Sequence, residues 1–217
     1  RGGELHTVNP NRTKGMIMGF ILSLPFGPVG IYCMELTIIE GRWKGYITAL
    51  GMVTIDMVYS TVALLFLSGV KEYIVKYENY LSLIIGLFLL VISIRKLLTK
   101  IELKDINVDF KSMLQNYLTG AGFAIVNISS ILVIATVFTV LKVLDDGNTS
   151  PPTTYMEAIL GVGIGGTSLW FLTTYVMSHF RKLFGKEKLI KIIKIANVTI
   201  FILALAIIFY AIKKIIN

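Results

Sequence analysis

The sequence predicts an all-α integral membrane protein of six transmembrane helices, arranged as two inverted repeats of three, with a broken first helix. Three observations carry that prediction. Hydrophobic residues make up 55% of the chain and charged residues only 16%, where a soluble globular chain has about a quarter charged. The charges cluster, leaving apolar runs of roughly 20 residues, the length a helix needs to span lipid. Six such runs occur, at about 16–39, 46–69, 80–98, 117–141, 156–178 and 190–212. They fall into two groups of three on either side of the longest basic stretch, Arg95 to Lys111, and an odd number per group turns the second group over in the membrane.

These runs set the domain boundaries. Residues 1–15 form a polar tail outside the fold, 16–98 the first three-helix repeat, 99–116 a cytoplasmic basic linker and 117–217 the second repeat. The net charge of +8 reads as loop and interface lysine and arginine, and nucleic acid is not an expected partner. Eight positive charges fall on the side of the termini and the 70–79 and 142–155 loops, and thirteen on the side of the other three connections. The positive-inside rule therefore places both termini outside and the 40–45, 99–116 and 179–189 connections in the cytoplasm.

Span 1 carries the segment "LPFGPVG", Leu24 to Gly30, at its centre. Pro25 and Pro28 each remove a backbone donor and disfavour helix continuation, and Gly27 and Gly30 admit conformations closed to other residues. Backbone groups freed there must be satisfied by protein or by a water-lined cavity. This predicts a discontinuous helix lining a transport site. Glu35 lies closer to the cytoplasmic end, a pathway candidate or a partner for Arg42.

Span 2 holds Asp56, the most central ionisable residue. A charge at that depth costs roughly 3 kcal/mol on insertion scales, and no Lys, Arg or His lies near the centre of a span to pair with it. Asp56 is therefore expected to be a protonatable carboxylate that couples a proton or holds a cationic group. Its helical face also carries Thr48, Ala49, Met52, Tyr59, Ser60 and Ala63, a small and polar stripe.

Span 3 contributes little at this depth beyond Gly86. Span 4 has Asn127, Ser129 and Ser130, which can hydrogen-bond a substrate or a neighbouring helix. Span 5 reads "GVGIGGTSLWF". Its Gly161 and Gly165 form a G-x-x-x-G packing pattern, as Gly51 does singly in span 2, and a G-x-x-x-G face can also join two copies of a chain. Ser168 and Trp170 are the pathway candidates there. Span 6 adds Asn197 and Thr199. The break, the acid and the polar clusters thus fall near one level, the midplane, where polar groups normally face a cavity or one another.

The repeat has short sequence echoes. "MGFILSLPFGP" can be set against "GAGFAIVNISS" through their Gly-Phe pairs, and "ALGMVTID" against "ILGVGIGG" through Gly51 and Gly161.

The stretch "GFILSLPFGPVGIYCMELTIIEGRWKGYITALGMVTIDMVYS", Gly19 to Ser60, resembles the start of the lysine-exporter (LysE) family of amino-acid translocators, in a Bacteroidetes-like branch. Pro25, Gly27 and Pro28 stand for that family's Pro-Gly-Pro, Gly41 and Arg42 for its Gly-Arg turn, and Gly51 and Asp56 for its glycine-bearing second helix with an acid. "GAGFAIVNISS" is similar to the second-half segment, although Ile128 follows Asn127 where the family has proline, and "GGTSLWF" is similar to its Gly-Ser-Trp stretch. The resemblance implies six helices, inverted repeats, a bacterial cytoplasmic (inner) membrane and export of amino acids or related small metabolites on a proton or ion gradient.

The expected function is therefore secondary transport by alternating access, with no enzymatic activity, cofactor or resident metal. The alternative is a cation or metal-ion transporter of the same superfamily, which would need more ligands than Asp56 and Glu35. A thiol–disulfide carrier needs paired cysteines, and Cys33 is the only one. No P-loop for an ATP-driven pump occurs in the sequence.

Overall fold

The computed structural model describes residues 9–24, 28–65, 67–102, 109–128, 130–141, 143 and 152–217. Among these, eight helices and no strand are present: α1 (Pro10–Leu22), α2 (Pro28–Glu40), α3 (Arg42–Leu65), α4 (Leu67–Leu98), α5 (Phe110–Val126), α6 (Ser130–Val140), α7 (Pro152–Leu183) and α8 (Lys186–Ile216). Four stretches, 42–65, 76–98, 152–183 and 186–216, are long and apolar enough to cross a membrane. The chain is an all-α, multi-pass membrane protein.

Helices begin earlier than the apolar runs do. α1 starts at Pro10, inside the expected tail, because the Asn9 side chain caps it by accepting from the Asn11 N–H at 2.9 Å and proline suits a first helical position. Arg12 then bonds Glu157 of α7 through two nitrogens, at 2.6 and 3.0 Å. α5 begins at Phe110 rather than 117, capped by Asp109, which accepts from the Ser112 N–H at 3.2 Å. In both places polar residues extend a helix beyond its lipid-length core, which a hydropathy window does not register. α2 and α3 meet at Gly41, whose φ of 99° is open to glycine and strained for other residues.

Two seams bring backbones together. On the α1–α7 seam, Gly15 lies against the carbonyl of Ala158, and Gly161 against that of Arg12. On the α3–α5 seam, Gly120 lies against the carbonyl of Thr48, and Gly51 against that of Tyr117. The contact residues are spaced three apart on all four helices, so one packing unit occurs twice. On that spacing Gly15 matches Gly120 rather than Gly19 matching Gly122 as in the Gly-Phe echo, and Gly51 matches Gly161. Gly165 also packs on α1, at Met16. The G-x-x-x-G face of α7 therefore packs against α1 within the chain.

Arg181 of α7 donates to the carbonyls of Ile38 and Ile39 at 2.8 and 2.6 Å. Ile38, Leu189 and Ile193 form a buried cluster joined by Ile101 and Phe184. These contacts gather the 40–45, 95–102 and 179–189 segments at one end of the bundle. The Arg12–Glu157 pair joins the N-terminal ends of α1 and α7, away from that cluster.

Candidate functional site

The chain is interrupted twice between helices that would otherwise run on. α1 ends at Leu22, with the Ser23 N–H donating to the Gly19 carbonyl at 3.1 Å, and α2 begins at Pro28. α5 ends at Val126, where Asn127 adopts φ −81° and ψ 55°. Short turns then carry the backbone on, with the Ser130 N–H donating to the Asn127 carbonyl and the Ile131 N–H to that of Ile128, both at 3.1 Å. The second interruption forms without a proline, because an asparagine readily leaves helical geometry.

A cavity of about 220 Å³ lies where these ends converge. Leu22 and, just past α1, Leu24 reach it, with Val29 and Gly30 from α2, Phe123 and Val126 from α5, Asn127 just past it, and Met52 and Trp170 from α3 and α7. Ile85, Phe88, Leu89 and Ile207 close it from α4 and α8. The lining is apolar except for the Asn127 amide and the Trp170 indole. Val29 and Gly30 place the first turn of α2 in this lining, and the positive end of a helix dipole favours an anionic group.

Of the candidates read from sequence, Gly30, Asn127 and Trp170 meet in this cavity, with Trp170 only 1% exposed. Pro28 opens α2. Pro25, Gly27 and Ser129 lie outside the described residues. Asp56 sits one helical turn beyond Met52 on the same face of α3, roughly 6 Å along the axis, and is half-buried. Among the described residues its carboxylate has no hydrogen-bond or ion-pair partner. Beside it, the Tyr59 hydroxyl donates to the Ile125 carbonyl at 2.6 Å. Ser130 is buried, and its hydroxyl has no partner among the described residues. Ser168 is exposed on α7, outside the lining.

Glu35 does not pair with Arg42. The Arg42 guanidinium lies over three rings, 4.3 Å from that of Phe171 and 5.0 Å from those of Trp43 and Tyr175. Glu35 instead accepts from Lys96 of α4 at 2.5 Å, with its side chain only 2% exposed. Asn197 of α8, turned to satisfy its hydrogen bonding, donates to both Glu35 oxygens at 2.9 and 3.0 Å. Sequence reasoning missed Lys96 because it closes an apolar run and reads as an interface lysine. The signal was Glu35 itself, since a carboxylate inside a span requires a partner.

Comparison with protein-family models, with curated proteins and with solved structures finds no match for this chain. The likeness to lysine exporters rests on the quoted residues alone.

Proposed function

We propose that this chain is a secondary transporter of a bacterial cytoplasmic membrane, exporting amino acids or related small metabolites by alternating access. The observation that carries the reading is the convergence of both helix interruptions on one small cavity. Transporters of inverted-repeat plan bind substrate at midplane between discontinuous helices, with half-helix N-termini facing anionic groups. Counting α1 with α2 and α5 with α6 as one span each gives six. The doubled glycine seam supports two halves of opposite orientation, and the basic connections gathered at one end support termini on the outer side.

In this reading the α2 N-terminus receives the substrate's anionic group. Asp56, half-buried in α3 and without a hydrogen-bond or ion-pair partner among the described residues, carries the coupling proton. The test is amino-acid efflux from proteoliposomes driven by a pH gradient. Replacing Asp56→Asn should abolish gradient-driven efflux while leaving the protein folded; efflux with unchanged pH dependence would remove Asp56 from the mechanism.

A further inference from the structure

A second cavity, of about 230 Å³, lies toward the basic end of the molecule, between α2, α4 and α8. Its floor is the Glu35–Lys96 pair with Asn197, and its walls include Tyr32, Leu36 and Ile39. Tyr32 separates this cavity from the first one. Its ring lies 4.6 Å from the Lys96 ammonium on one side and 4.8 Å from the ring of Phe123, which lines the first cavity, on the other.

Burying an ion pair costs several kcal/mol of desolvation per charge, and an apolar substitute of the same volume is often at least as stable. Packing alone therefore gives no reason for Glu35 and Lys96 to be here. What the pair can do is exchange. A cationic ligand that displaced Lys96 would leave that ammonium buried and unpaired, and an anionic ligand that displaced Glu35 would strand the carboxylate. Either loss is among the larger penalties a site can meet. A ligand bearing both charges avoids both penalties, its ammonium going to Glu35 and Asn197 Oδ1 and its carboxylate to Lys96. The volume falls below the ~300–1,000 Å³ of sites for drug-sized ligands, which restricts the ligand to a small metabolite.

We propose that Glu35, Lys96 and Asn197 form a binding site for a small zwitterion, which enters by exchanging with the internal ion pair. Tyr32 is the partition between this site and the cavity at the helix interruptions. The proposal rests on the transport reading for its place on a pathway, and it narrows the substrate to molecules with one ammonium and one carboxylate.

The experiment is a thermal-shift and equilibrium-binding panel on the purified full chain in detergent. The probes are glycine, alanine and leucine, each beside the matching carboxylic acid that lacks the amine and the matching amine that lacks the carboxylate. At least one amino acid should stabilise the protein, and its two single-charge counterparts should not. Glu35→Gln and Lys96→Met should each weaken that binding tenfold or more. The exchanged pair E35K/K96E keeps an ion pair in place and serves as the folding control for both.

Stabilisation by a single-charge probe equal to that by the amino acid overturns the exchange. Unchanged binding in both E35Q and K96M overturns the site, as does a panel in which nothing binds. Efflux measured in parallel separates this proposal from the transport reading. Efflux that ignores Glu35 and Lys96 removes the site and leaves transport standing. Zwitterion binding at the site without any efflux removes transport and leaves the site.

Discussion

The α3–α5 and α1–α7 seams contrast with the contact between α4 and α8. In the first two, glycines admit the carbonyls of the facing helix and backbones touch. Between α4 and α8, the atom nearest to where a Gly86 Cβ would stand is in the Ile208 side chain, at 2.7 Å, with an Ile207 side-chain atom and the Ile208 backbone nitrogen farther off, both at 3.2 Å. Burial follows the same division, at 39% of the apolar window in α3 and in α7 but 17% in 76–98 and 22% in α8. The two more apolar helices are thus the more exposed ones. Lipid is as apolar as leucine, so hydropathy does not drive a helix to the centre of a membrane bundle. Small residues that allow close backbone contact do.

The largest effects should come from filling the backbone seams. Gly120→Val and Gly161→Val each place a side chain against a facing carbonyl that cannot step aside, and each should cost about 3 kcal/mol or more by the overpacking scale. Thermal unfolding in detergent reads this directly. If the two seams are one packing unit used twice, Gly51→Val should match Gly161→Val closely, and a large inequality would break the equivalence.

Gly86→Ala should cost less, about 1 kcal/mol, because its nearest contact is an isoleucine side chain, which can shift where the carbonyls of the seams cannot. A loss as large as that at Gly120 would erase the contrast between the seams. Among the described residues, nothing lies within 4 Å of where a Cβ would stand on Gly122. Gly122→Ala should therefore be neutral or stabilising by up to about 1 kcal/mol, the helix-propensity difference alone. Destabilisation there would place an unseen neighbour against α5.

Much of this arrangement was legible in the residues. Pro25, Gly27 and Pro28 announce an interruption because proline cannot supply the missing hydrogen bond. Asn127 was a weaker sign, since asparagine tolerates a helix as often as it ends one, and only the fold placed its turn beside the first break. The sequence reading placed Asp56, Glu35 and Ser168 on one pathway with Gly30, Asn127 and Trp170. Depth along a span does not fix the direction a side chain faces. Ser168 points outward, Glu35 belongs to another cavity, and Asp56 stands a turn away from the lining.

The sequence by itself determined that the chain is helical, that it belongs in a membrane and that its first helix is interrupted. Those properties follow from local backbone chemistry and from the transfer of apolar side chains out of water. Only the tertiary structure decided which glycines meet which carbonyls, that Lys96 and Asn197 complete Glu35, and that Tyr32 of one cavity touches Phe123 of the other. Those are contacts between residues as far apart as 162 positions, Glu35 and Asn197, and they depend on helix rotation and register. No local pattern records either.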